Sequence, residues 1–209
     1  MRERYDSAIL DRMKEGSVPT IDFECCRLTF SLAAPHRLSP RSALNKALET
    51  SSPQVVAETI LQSIPYSGFP AAVEALGWLR ESIPETDEME LRTASSRDIF
   101  LEIYGDSADK VRSELSFRHP DLEEWIREFA YGTVMATCPW DTSELEFLAI
   151  SSLLAQARMT PFHSHLRGAL SCGAIPEKLH DLLDHLQDVA QPEALDTARK
   201  LLTKESRRQ

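Results

Sequence analysis

Glycine is scarce in this chain, at seven of 209 residues. No Gly-rich phosphate loop and no strand-turn-helix nucleophile elbow can be traced, which removes the commonest nucleotide-dependent and serine-hydrolase designs. Strongly alternating apolar and polar runs are also missing, so a sheet-based architecture has no support. Positive charge is in short supply: 23 Lys and Arg face 33 Asp and Glu, for a net charge of −10. That balance argues against a nucleic-acid or anionic-membrane partner. The four cysteines, Cys25, Cys26, Cys138 and Cys172, form no C-x-x-C, so neither the redox spacing nor the zinc-ribbon spacing is met. The opening stretch "MRERYDSAILDRMKEG" is amphipathic and charged, and reads as neither a signal peptide nor a membrane span. The expectation is a cytoplasmic chain whose thiols are free and mostly buried as small hydrophobes.

What is present is helix punctuation. Ser52-Pro53 opens "SPQVVAETILQSI" with a capping serine and a proline at the first helical position. Pro70 opens "PAAVEALGWLRESI", with Val73, Leu76 and Leu79 at helical spacing. "SRDIFLEIYG" and "PDLEEWIREFAYG" end on Gly105 and Gly132. Asp141 and Glu144 have the spacing of a capping box before "LEFLAISSLLAQA". Leu179, Leu182, Leu183, Leu186 and Val189 form one apolar stripe. The predicted fold is all-α.

The chain also repeats itself. At an offset of 122, residues 23–48 lie over residues 145–170, with Glu24 on Glu146, Leu28 on Ile150 and Leu32 on Leu154. The expected organisation is a first copy over residues 1–84, an acidic linker over 85–96 and a second copy over 97–209.

Two polar residues stand out against this pattern. In "TPFHSHLRGALSCG" (160–173), Thr160 is the expected N-cap and Gly173 the residue just past the helix end. Phe162, Leu166, Ala169 and Leu170 share one arc, with His163 on the opposite, wet side and His165 at the apolar edge. In the preceding helix Glu144, Ser151 and Ser152 share the outer side, while Glu146 falls among Ile150, Leu153 and Ala157. A carboxylate in such surroundings is costly unless it is paired or neutralised. An antiparallel hairpin is expected to keep Glu146 and His165 far apart along its length. Histidines at i and i+2 face different ways, and His180 and His185 lie on the polar side of their helix, so no metal site is expected.

"HLRGALSCGAIPEKLHDLL" (165–183) resembles the core motif of the carboxymuconolactone decarboxylase and alkylhydroperoxidase D superfamily. "IPYSGFPAAVEALGWL" (64–79) resembles the segment that follows that motif, and "LEIYGDSADKVRSEL" with "HPDLEEWIREFAYGTVM" resembles its lead-in. The resemblance implies an all-α bundle of the alkylhydroperoxidase D type, here as two degenerate copies in one chain, the first with Ala43 where the family histidine falls. It implies a homotrimer standing for a hexamer. It also implies a cofactor-free, metal-free lyase or isomerase acting on a small organic acid or lactone, with Glu146 relaying a proton and His165 delivering it. Arg158 and Pro161 replace the cysteines of the peroxidase branch, and Pro161 also replaces the glutamate of the lyase branch one turn before His165. Cys172 and Tyr66 rank behind Glu146 and His165 as site residues. The alternatives are a thiol-dependent antioxidant activity and a catalytically silent binding or scaffold protein.

Overall fold

The computed structural model describes residues 21–85 and 97–208. The opening stretch and nearly all of the expected linker lie outside the described residues. Within them every regular element is helical: α1 (Phe23–Ala33), α2 (Pro40–Thr50), α3 (Pro53–Gln62), α4 (Ile64–Ser82), α5 (Ile99–Tyr104), α6 (Ala108–Arg118), α7 (Pro120–Trp125), α8 (Thr142–Ala155), α9 (Met159–Ser171), α10 (Pro176–His185) and α11 (Pro192–Ser206). A 3₁₀ turn (Gly105–Ser107) joins α5 to α6, and α7 runs on into a wide π-helical segment, Ile126–Met135.

The centre of the bundle is the pair α1 and α8. Twelve of the 14 residues of α8 are buried, so it is a fully enclosed helix and not a half-wetted one. Ser151 and Ser152, expected on an outer side, are both completely buried. Burial is tolerable because each hydroxyl finds a carbonyl: Ser151 donates to Phe147 O at 2.8 Å, and Ser152 to Thr29 O on α1 at 3.4 Å. Thr29 completes the crossing by donating to Cys26 O and Leu148 O. Short hydroxyl side chains let the two helices approach closely and still satisfy their own polar atoms.

Local signals resolved unevenly. Ser52 caps α3 through Val55 N, and Ser39 caps α2 through Ser42 N. The Asp141–Glu144 capping box does not form, because Glu144 accepts instead from Ile21 N at 3.3 Å. α9 begins at Met159, after Arg158, so Thr160 is inside the helix and not its cap; Gly173 does follow the helix end, at φ 94°. Gly132 does not stop its helix, which widens and continues to Met135. Pro70 sits two residues after Gly68, whose φ of 82° breaks α4 into two segments. Beyond that break the buried stripe is Ala72, Ala75 and Leu79, while Val73 is 69% exposed.

Candidate functional site

The turn between α8 and α9 is three residues long and depends on Ala157 at φ 52°, a left-handed conformation unusual for a residue with a side chain. Chain reversal in so short a span sets α9 directly against α8. Glu146 lies nine residues before the end of α8 and His165 six residues after the start of α9. At about 1.5 Å of rise per residue the axial mismatch is only ~5 Å. The expectation that a hairpin keeps the two apart is therefore overturned: His165 Nδ1 is 2.8 Å from Glu146 Oε2. Glu146 is wholly buried and His165 is 8% exposed.

Gly168, one turn beyond His165, makes the approach possible. A Cβ on this residue would stand 3.2 Å from Glu146 Oε2 and 2.8 Å from Ile103 Cγ2. The position has no room for a side chain, although its φ is ordinary.

Around this acid–imidazole pair gather three of the four tyrosines in the chain. Tyr66 sets its ring edge-on to His165, with centroids 5.7 Å apart. The backbone carbonyl of Tyr66 accepts from Gln156 Nε2 at 2.8 Å, which ties α4 to the α8–α9 turn. Tyr104 and Tyr131 share a hydroxyl–hydroxyl hydrogen bond of 3.0 Å, and both rings pack on Phe100. Burial pushes the Tyr66 phenol well above its usual range, and the charge of Glu146 adds to the effect. Burial likewise raises Tyr131 and Tyr104, with Glu146 contributing at each. All three therefore remain protonated donors near neutral pH. Such donors suit an oxygen that gains negative charge during a reaction. Glu146 Oε1 is buried, and among the described residues nothing donates to it.

Tyr104 and Tyr131 escaped the sequence reading because each sits in a stretch that looks like ordinary helix. The available signal was the π-helical widening that carries Tyr131, a distortion common at functional sites, and it is not visible in residue spacing.

The other singled-out residues fall elsewhere. The Cys172 Sγ lies 3.5 Å from Glu102 O, and burial, then the charges of Glu146 and Glu102, push its thiol up to about 11. A thiol so placed is not a nucleophile at neutral pH. His163 is not simply in water: its Nε2 is 3.0 Å from Glu205 on α11. His185 is not on a purely polar side either, since its ring packs on Phe23 with Nε2 3.4 Å from Glu24. None of Cys25, Cys26, Cys138 and Cys172 is joined in a disulfide among the described residues. Among the described residues no three His, Cys, Asp or Glu side chains converge as metal ligands, and no helix is long and apolar enough to cross a membrane.

No protein-family model matches the chain. The chain is 27% identical over 150 residues to Peroxisomal protein 2 of Schizosaccharomyces pombe, an alignment covering 64% of this chain and 69% of that protein.

Proposed function

We propose that the chain is a two-copy relative of the carboxymuconolactone decarboxylase and alkylhydroperoxidase D superfamily, acting as a cofactor-free lyase or isomerase on a small organic acid or lactone. The observation that carries the reading is the buried 2.8 Å contact between His165 Nδ1 and Glu146 Oε2. With Nδ1–H donated to the carboxylate, the imidazole presents Nε2 as the atom that takes a proton from the substrate and returns it. Glu146 fixes the tautomer and balances the charge that appears on the ring. A phenol from Tyr66, or the Tyr104–Tyr131 pair, supplies a hydrogen bond to the enolate or carbonyl oxygen formed when a C–H bond or a C–CO₂ bond breaks.

Helix boundaries support the two-copy part of the reading. The ends of α1, α2, α3 and α4 precede those of α8, α9, α10 and α11 by 121 to 124 residues. Prolines 53 and 70 stand to α3 and the second segment of α4 as prolines 176 and 192 stand to α10 and α11. The thiol-peroxidase alternative loses support from the raised Cys172 thiol.

The test is a panel of lactone carboxylates and small oxo acids, read by CO₂ release and by deuterium uptake from solvent. His165→Ala is expected to lower turnover about 10²–10⁴-fold, the range typical of general acid–base catalysis. Turnover unchanged in this variant would sink the assignment. The expected cytoplasmic location has a competitor in the name of the relative, and imaging a tagged chain beside a peroxisomal marker decides between them.

A further inference from the structure

The least explained surface of the molecule is apolar. On α7 and its π-helical continuation, Leu122, Trp125 and Phe129 are spaced three and four residues apart and are 37%, 65% and 37% exposed. On α4, Phe69 and Val73 are one turn apart and 58% and 69% exposed. The two sets are joined where Phe69 and Phe129 pack ring against ring, with centroids 5.6 Å apart. The result is one continuous strip across two helices, three of its five members aromatic.

We propose that this strip is the surface on which a second copy of the chain docks, about a two-fold axis. Area is the first argument. Large apolar side chains present about 150–250 Å² each, so the exposed fractions amount to roughly 500 Å². A standard interface covers about 800 Å² per partner, of which some 60% is apolar. The strip therefore matches the apolar centre of one such interface, and it is rich in the Trp and Phe that anchor contacts of this kind.

The second argument is the charge around it. Arg112 and Arg127 both reach Glu123, and Arg127 also reaches Glu128. A rim carrying both signs beside an apolar centre can be self-complementary about a two-fold axis, where a rim of one sign would repel its own image. An anionic membrane, the other acceptor of an exposed aromatic strip, is opposed by the net charge of −10.

The strip also shares its elements with two of the three tyrosines. Phe69 follows Tyr66 by three residues and Phe129 precedes Tyr131 by two, so a docked copy lies over the elements that hold both tyrosines. The family resemblance implies three copies around one axis, which requires two different complementary patches per chain. A single self-facing strip fits a pair.

Sedimentation equilibrium on the full chain at 1–100 µM tests the proposal. Dimeric mass is expected for the wild type, and monomeric mass for Trp125→Glu and for Phe69→Glu. Ile175→Glu changes another exposed apolar residue, outside the strip, and is expected to stay dimeric. Far-UV circular dichroism verifies that each variant remains folded. Three results would overturn the proposal: a monomeric wild type at 100 µM, a trimer, or a dimer indifferent to both strip substitutions. Because the readout is mass, its failure is distinguishable from a failure of the proposed catalytic activity.

Discussion

Glu24 and Glu146 occupy matching places in the two halves of the chain, and each has a histidine beside it, yet their surroundings are opposite. Glu146 is sealed between α8 and α9 with His165 at 2.8 Å, whereas Glu24 keeps 23% of its side chain exposed and lies 3.4 Å from His185, a residue of the other half. The difference traces to two neighbours. At the place of His165 the first half has Ala43, and at the place of Gly168 it has Lys46, which extends into water toward Glu49. Without the imidazole a buried acid would have no partner, and with a lysine stem the helix could not close over one. A buried acid–imidazole pair thus needs a partner and a vacancy together, and one half of this chain has neither.

The largest expected effect comes from breaking the sealed pair. Glu146→Ala should cost about 3–5 kcal/mol in chemical denaturation by leaving His165 buried without its acceptor. Glu24→Ala should cost about 1 kcal/mol or less, in keeping with a solvent-reached pair. Equal losses would erase the contrast between the halves. Replacing both members with apolar groups, Glu146→Met with His165→Phe, should recover much of the stability while abolishing turnover, which separates a working pair from a merely structural one.

A smaller effect is expected at the vacancy. Gly168→Ala should destabilise by about 1–3 kcal/mol through overpacking against Ile103 and Glu146. Lys46→Ala should be close to neutral under the same denaturation measurement.

The smallest effect concerns pH and belongs to the second half alone. His163 first, then Arg208, holds the Glu205 carboxyl below its ordinary value. A carboxyl lowered on folding contributes stability above its unfolded value of about 4.3, and that contribution fades as pH falls through the lowered folded value. Thermal midpoints measured from pH 6 down to pH 3 should therefore fall less steeply in Glu205→Gln than in the wild type. Parallel curves would remove Glu205 from the account.

The helical class, the positions of most helices and the inward turn of Glu146 were legible, because each follows from spacing along a single helix. The stripe from Leu179 to Leu186 is buried as its period requires. Where the reading failed, packing had overridden the local pattern. Ser151 and Ser152 look like surface residues on a helical wheel, but they lie in the crossing with α1, where only short side chains fit. Val73 belongs to a helical apolar period, but the buried face of its segment is phased on Ala72, Ala75 and Leu79, which leaves Val73 outside it. The contact of Glu146 with His165 depended on the length of a turn fixed by Ala157, a left-handed residue that no composition rule marks. Tyr104 and Tyr131 reach the site from a different stretch of chain, and periodicity carries no information about such meetings.

Tyr66 arrives from α4, the acid and the imidazole from α8 and α9, and the paired phenols from α5 and the π-helical segment that precede α8. A fragment keeping only the second half would retain the acid–imidazole contact but lose the aromatic edge that rests against it. The surroundings of the pair are thus the joint property of distant stretches, so removing residues 23–82 would strip the Tyr66 ring from His165 and the Tyr66 carbonyl from Gln156.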